Sequence, residues 1–536
     1  MEPELGNRIG GKGNGARLWA AVAAVFLPVL FLMVLRIFVF CPDGESDVDS
    51  FYHAAIAQQG PAVFAAKEFP QTSLSVWQTQ FSDKELGFHF LLWGVMRAGA
   101  RLGLDNVPPF HYQSFFLLVL LFSAVAITLS SLGVRRIWLW TVLLAVIAPR
   151  FSERLIDLRP HLLAMTLFVL AVWALTRPEL MRGQRRWVTC FVQGILFGYC
   201  YSNPHFVVMP VGAYMLAELW SRRDWRAVFL PFAALAGAAV ALVLHPQFPN
   251  TFLIWKIQCV DVVLGKVGLH SVLRGGSEWL SNGWDVLRTA PFLLIAPAVF
   301  AGIGYARWKR HLPWSRNVRF TGILALGTGI GMCLFFRMVE YGVFSLIFAA
   351  AVWLRPFSRS PGSGRILAAA VLAACLWSGG YFYHSLPWRT YRPEYRLAAW
   401  LREKRVPSGT VIGHLSWGDF PQLYYAMPEY RFLCGLDPMF AAGEYRPAML
   451  VLEELRRGTR FTAPDELSRL IGSRWLWVSD VGRIAAVRLY LYGYVPVFDC
   501  PDGCLFKLDE PLHAGKPADV PRLAPPSGES QTGKQP

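Results

Sequence analysis

Asp47-Val48-Asp49-Ser50-Phe51-Tyr52-His53 stands just beyond the first long apolar run of the chain, Arg17 to Phe40. That run exceeds the roughly 20 apolar residues needed to cross a bilayer. The acidic cluster Asp43, Glu45, Asp47 and Asp49 is therefore expected at a membrane surface, on the far side from the N-terminus. Carboxylates at the mouth of a membrane domain can deprotonate an acceptor or hold a metal ion. The rest of the chain is read outward from this corner.

The 536 residues are 54% hydrophobic and 16% charged, with a mean hydropathy of +0.36. Soluble domains carry about 25% charged residues, so the composition points to a polytopic membrane protein. The net charge of +16 does not indicate a nucleic-acid partner. The Lys and Arg residues fall in short clusters between apolar runs, the pattern of cytoplasmic loops. The first run lacks a small-x-small cleavage site and is expected to stay as a helix.

Eleven apolar runs can be counted. Residues 1–16 form a basic tail, placed in the cytoplasm by its positive flank. Runs follow at 17–40, 112–132, 138–148, 161–175, 187–201, 206–220, 227–244, 286–305, 320–336, 340–355 and 366–383. With the N-terminus inside, the turn after every even-numbered run carries an Arg cluster, as the positive-inside rule requires. Residues 41–108 and 245–285 become long external loops. Leu86 to Leu104 is apolar but interrupted by His89, Arg97 and Arg101, and is read as juxtamembrane helix lying flat. Counting it as a span would invert every later loop.

From residue 387 to 510 the pattern changes to a small extracytoplasmic α/β domain. Helices are expected at Tyr395–Arg405, Ala448–Arg457 and Pro464–Ile471. Strands are expected at Thr410–Leu415, Tyr430–Cys434, Trp475–Val478 and Cys504–Leu508. Residues 511–536, rich in Pro, Gly, Ser and Lys, are expected to be disordered. Cys190, Cys200, Cys333 and Cys375 lie in apolar runs and read as small core residues. Cys500 and Cys504 flank a turn signal, where either a local disulfide or two free thiols would fit.

Three features resemble the GT-C superfamily of polyprenyl-phosphate-sugar-dependent glycosyltransferases, and within it the oligosaccharyltransferase catalytic subunits. Asp49-Ser50-Phe51-Tyr52-His53 is similar to the Asp-Pro-Tyr/Trp-Tyr-His type stretch of those enzymes, and Asp47 extends it to Asp-x-Asp. The order of parts is similar: a long first external loop, a multi-span domain (17–386) and a C-terminal α/β domain. Ser416-Trp417-Gly418-Asp419-Phe420-Pro421, followed by Tyr430 to Asp437, is similar to their Trp-Trp-Asp-Tyr-Gly region. Gly418 replaces the second Trp and Pro421 the Gly, so protein N-glycosylation does not follow.

The resemblance implies a sugar donor linked to polyprenyl phosphate or pyrophosphate, the bilayer as partner, and a glycan, lipid or protein acceptor. It implies a bacterial inner membrane. Asp49 would act as base, or as the carboxylate that orients the acceptor, in a single inverting displacement seconded by Asp47. Glu153 and Asp157, with Asp49, would be ligands of a divalent cation, Mn or Mg; ion pairing with Arg150, Arg154 and Arg159 is the plain alternative. Arg337, Arg159, His205 and Lys256 are candidates for the donor phosphate. Lys256 belongs to a basic stretch with Lys266, His270 and Arg274. Trp417, Asp419 and His53 are candidates for the acceptor. A structural Arg337–Glu340 pair at helical spacing is the alternative for Arg337. No Walker sequence, Gly-rich phosphate loop or GxSxG is present, which argues against a nucleotide-driven pump or a serine hydrolase. A flippase of lipid-linked glycans, or a non-catalytic subunit of a glycan-assembly complex, remains as the alternative class.

Overall fold

The computed structural model describes residues 12–39, 44–261, 292–385, 390–441 and 443–509. The basic stretch at Lys266, His270 and Arg274, and the tail 511–536, lie outside the described residues. The chain divides into two compact units.

The first unit is helical. Its elements begin with α1 (Lys12–Val39), α2 (Asp49–Gln59), α3 (Pro61–Phe64), α4 (Leu86–Arg101), α5 (Pro109–Ser131) and α6 (Ile137–Val146). They continue with α7 (Pro149–Ile156), α8 (His161–Thr176), α9 (Arg185–Cys200), α10 (Val208–Arg222), α11 (Leu230–Val243) and α12 (Asn250–Lys256). Among the described residues, helices Phe292–Lys309, Arg316–Leu334, Val339–Leu354 and Pro361–Ser385 follow. Each of the eleven expected apolar runs contains a helix. Among the described residues, six helical segments are long and apolar enough to cross a membrane alone, and a seventh crossing results if α7 and α8 count as one span. α6, at 10 residues, is too short to cross alone. Many large apolar side chains point outward, among them Leu18, Trp19, Phe38, Phe232, Ile366 and Leu372. Such a surface is satisfied by lipid and not by water.

Two helices lie deepest. α8 and Val339–Leu354 bury most of their side chains, so their N-terminal ends are held by packing on several sides. α7 and α8 meet at 109°. The break has a local cause, because Arg159 precedes Pro160 and the residue before a proline is pushed out of helical backbone. α9 and α11 approach closely through Gly194 and Gly237, where a methyl group would overlap the carbonyls of Ala234 and Phe191. Cys190 is buried as expected, but Cys333 is exposed on the surface of its helix, facing outward from the core.

Among the described residues, the second unit comprises 66–82, 260–261, 391–441 and 443–509. Its sheet has the order β1-β2-β4-β3, from Ile412–His414, Trp475–Ser479, Val495–Cys500 and Gly503–Lys507. β1 and β2 are parallel, and the other pairs antiparallel. The three expected helices are present at Tyr395–Glu403, Arg446–Arg457 and Pro464–Ile471. Strand Val495–Cys500 and helix Arg483–Leu491 were not anticipated. Tyr430–Cys434 is not a ladder strand; it makes single bridges, Arg431 to Val411 and Phe432 to Thr72. Residues 66–82 join this unit through aromatic packing: Trp77 lies 4.8 Å from Phe440, and Phe69 lies 5.3 Å from Tyr424. Cys500 and Cys504 are free thiols.

Candidate active site

Asp49 is the first residue of α2, where a carboxylate is favoured by the helix dipole. Asp47 lies in the turn before it. Arg159, at the α7–α8 break, reaches both. Its Nη2 donates to Asp49 Oδ2, and its Nε lies 3.2 Å from Asp47 Oδ2. The side chains keep 13–21% exposure, so this pair of carboxylates is sheltered but open to a ligand. The planar guanidinium fork suits two carboxylates, and it equally suits a phosphate that would compete for it.

A second layer of pairs braces this corner. Arg36, in the last turn of α1, is fully buried against Glu45; it also donates to the Ile156 carbonyl and lies 3.2 Å from His111 Nδ1. Burial pushes the Glu45 carboxyl up to about 7, against the pull of Arg36. The Ser46 hydroxyl donates to Asp157. Arg154 on α7 donates from Nε at 2.9 Å to Glu340 Oε1, at the start of Val339–Leu354. Glu340 thus takes Arg154, 186 residues away, as partner.

α2 and α4 carry a third arrangement. The carboxylate of Asp83 lies 2.8 Å from His89 Nδ1, and His89 Nε2 lies 2.8 Å from His53 Nδ1. All three side chains are buried. The backbone N–H of Asp83 donates to Gln247 Oε1 at 2.5 Å, and Gln247 Nε2 donates to the Val63 carbonyl at 3.0 Å. Burial holds the His53 imidazole well below its ordinary range, helped by His89, Arg159, Lys84 and His161.

The expected residues thus separate into groups. Asp47, Asp49 and Arg159 are in contact, with His53 one helical turn further along α2. Glu153 pairs with Arg150 at 2.9 Å, and Asp157 lies 3.8 Å from Arg154. Asp49, Glu153 and Asp157 are not gathered into one ligand set: no group of three or more His, Cys, Asp or Glu among the described residues could hold a metal ion. Arg337 lies over the Tyr201 ring, 5.8 Å from its centroid. His205 packs edge-on against Phe206 at 5.0 Å, and burial lowers its basicity. Lys256 ends α12. Trp417 and Asp419 belong to the second unit. There Asp419 Oδ1 accepts a hydrogen bond from Ser479 at 2.9 Å, and Trp417 packs on the core.

Arg36, Asp83, Lys84 and His89 were not singled out as site residues by the sequence reading, and Glu45 was read only as part of the acidic cluster. Arg36 had a signal, because an arginine inside an apolar run defaults to a functional hypothesis. Asp83-Lys84-Glu85 at the start of an amphipathic helix offered only a charge run.

No family model matches the sequence, and no curated protein matches it. Solved structures do match. The crystal structure of ArnT from Cupriavidus metallidurans bound to undecaprenyl phosphate is 12% identical, with a TM-score of 0.52. The same protein in the apo state is 11% identical, also at 0.52. Each match covers 92% of this chain and 98% of the other.

Proposed function

We propose that this chain, which has the fold of the GT-C glycosyltransferases, transfers a sugar from a polyprenyl-phosphate- or pyrophosphate-linked donor to an acceptor at the extracytoplasmic membrane surface. The observation that carries the reading is the Arg159 clamp on Asp47 and Asp49, at the sheltered end of an apolar helical unit. The ArnT neighbour bound to undecaprenyl phosphate supports a lipid-linked donor. The distribution of Arg clusters supports a cytoplasmic N-terminus and an external second unit, and the resemblance to the GT-C enzymes supports an inner-membrane location.

In this reading the donor phosphate enters where cationic side chains are available. Arg159 meets it by a charge-assisted fork, and Lys84 and Arg337 are two further cations of the same unit. Phosphate binding at Arg159 loosens its hold on Asp49. That carboxylate then accepts the hydrogen bond of the acceptor hydroxyl and aims its oxygen at the anomeric carbon. One displacement inverts that carbon, and the lipid phosphate leaves with the bonding electrons. The carboxylates do not form a set that fits Mn or Mg, so no step is routed through a metal.

The test is release of sugar from a panel of radiolabelled polyprenyl-phosphate and polyprenyl-pyrophosphate sugars by purified protein, with and without Mn²⁺. Wild type should release sugar from one class of donor, and Asp49→Asn should lose about 10²-fold or more. Equal release by both proteins would remove Asp49 from the mechanism.

A further inference from the structure

We infer that Asp83, His89 and His53 form a proton relay, and that His53 Nε2 is the atom that takes the proton from the acceptor. The inference rests on the glycosyl-transfer reading and supplies the step that reading leaves open, the destination of the proton.

With both imidazoles neutral, the contacts define one set of tautomers. A carboxylate only accepts, so the His89 Nδ1–H donates to Asp83 at 2.8 Å. His89 Nε2 is then bare in the neutral ring, and His53 Nδ1–H donates to it at 2.8 Å. This leaves His53 Nε2 without its hydrogen, as a base. That atom makes no hydrogen bond among the described residues. The rings of His53 and His89 are held in place by edge contacts, Phe88 on His53 at 5.4 Å and Tyr52 on His89 at 5.9 Å. The Gln247 side chain, bonded to the Asp83 backbone, fixes the far end.

Placement connects the relay to the carboxylates. Asp49 and His53 are four residues apart on α2, so they share one stripe of the helix at about 5–6 Å between Cβ atoms. Arg159, which holds Asp49, is also in electrostatic range of His53. The relay requires a hydroxyl resting on Asp49 to come within reach of His53 Nε2, directly or through one water. Burial, with His89 on α4, Arg159 at the α7–α8 break, Lys84 before α4 and His161 on α8, disfavours a lasting positive charge on His53; the carboxylates near it are Asp49 on α2 and Asp83 beyond His89.

The relay removes that difficulty. The acceptor O–H bond breaks and its electron pair forms the bond to the anomeric carbon. The bond from that carbon to the phosphate oxygen breaks, and its pair leaves with the phosphate. The proton joins His53 Nε2, while the His53 Nδ1 proton passes to His89 Nε2. His53 ends neutral, and the positive charge settles on His89 against the Asp83 carboxylate. Two groups separated by a ring thus divide the work: one accepts, the other stores.

The experiment uses full-length protein and the polyprenyl-linked sugar that wild type turns over, between pH 5 and 9. His53→Gln, His89→Gln and Asp83→Asn should each lower kcat by about 10²-fold. They should leave the donor KM within about threefold and flatten the acidic limb of the pH profile. Asp83→Asn, the conservative change, covers the case in which a histidine variant fails to fold. An unchanged pH profile in variants that melt like wild type would overturn the relay. If wild type releases no sugar at all, the functional reading falls, and the relay is judged separately by ¹⁵N-histidine NMR of the same protein. A hydrogen found on His53 Nε2 and none on His53 Nδ1 in the resting state would overturn it; the reverse would uphold it.

Discussion

Arg154 and Glu340 join the start of Val339–Leu354 to α7, with Arg154 Nε 2.9 Å from Glu340 Oε1 and the glutamate fully buried. The pair fixes the helix that carries the Arg159 break against the deepest helix of the unit. Removing one partner strands a buried charge. Glu340→Gln or Arg154→Met alone should cost about 3–5 kcal/mol, read as a fall in melting temperature in detergent. The double replacement should cost clearly less than the two single costs summed. Additive losses would show that the two residues are not coupled.

Arg159 is placed to hold both carboxylates of the corner. Arg159→Lys keeps the charge and loses the fork, so it should lower kcat/KM for the lipid-linked donor by about 10-fold or more. Arg159→Ala should be worse by a further factor of about 10. Steady-state release of labelled sugar measures both. Wild-type kinetics in Arg159→Lys would mean that a point charge suffices and the fork has no role.

Asp419 gives the second unit a pH dependence. Burial raises its carboxyl from 3.8 to about 7, opposed by the Ser479 hydrogen bond. The folded state therefore holds a proton that the unfolded state releases near pH 4. Its stabilising effect is complete below that pH, declines as pH rises toward 7, and is gone above it. The loss is at most about 4 kcal/mol. Asp419→Asn should flatten this slope in melting temperature between pH 4 and 7. Part should persist through Glu394, which burial and Asp419 also raise. A slope unchanged in the variant would place the titration elsewhere.

The α9–α11 contact depends on two glycines. A methyl at Gly194 meets the Ala234 carbonyl, and one at Gly237 meets the Phe191 carbonyl. Backbone cannot yield as a side chain can, so Gly194→Ala or Gly237→Ala should destabilise by about 1–3 kcal/mol. Gly212→Ala, with open space around it, serves as control and should be close to neutral. Equal melting temperatures for Gly194→Ala and Gly212→Ala would show that the helices can separate at no cost.

The sequence by itself determined the helices of the first unit. Apolar runs near the length of a bilayer crossing have no other way to satisfy their backbone, so each expected run became helix. It also picked out Asp47 and Asp49, because acidic residues beside an apolar run are conspicuous. Helix Pro464–Ile471 was readable because its period and its glycine stop are local. Tyr430–Cys434 was misread because β-rich composition does not say whether a ladder partner exists. Only the tertiary structure decided the partners. Arg159 meets Asp49 across 110 residues, His53 meets His89 across 36, and Arg154 meets Glu340 across 186. Hydropathy reports how much a residue gains by leaving water, whichever neighbour it finds there. Which charge meets which depends on how the helices pack and where proline breaks one of them, and those are properties of the whole fold.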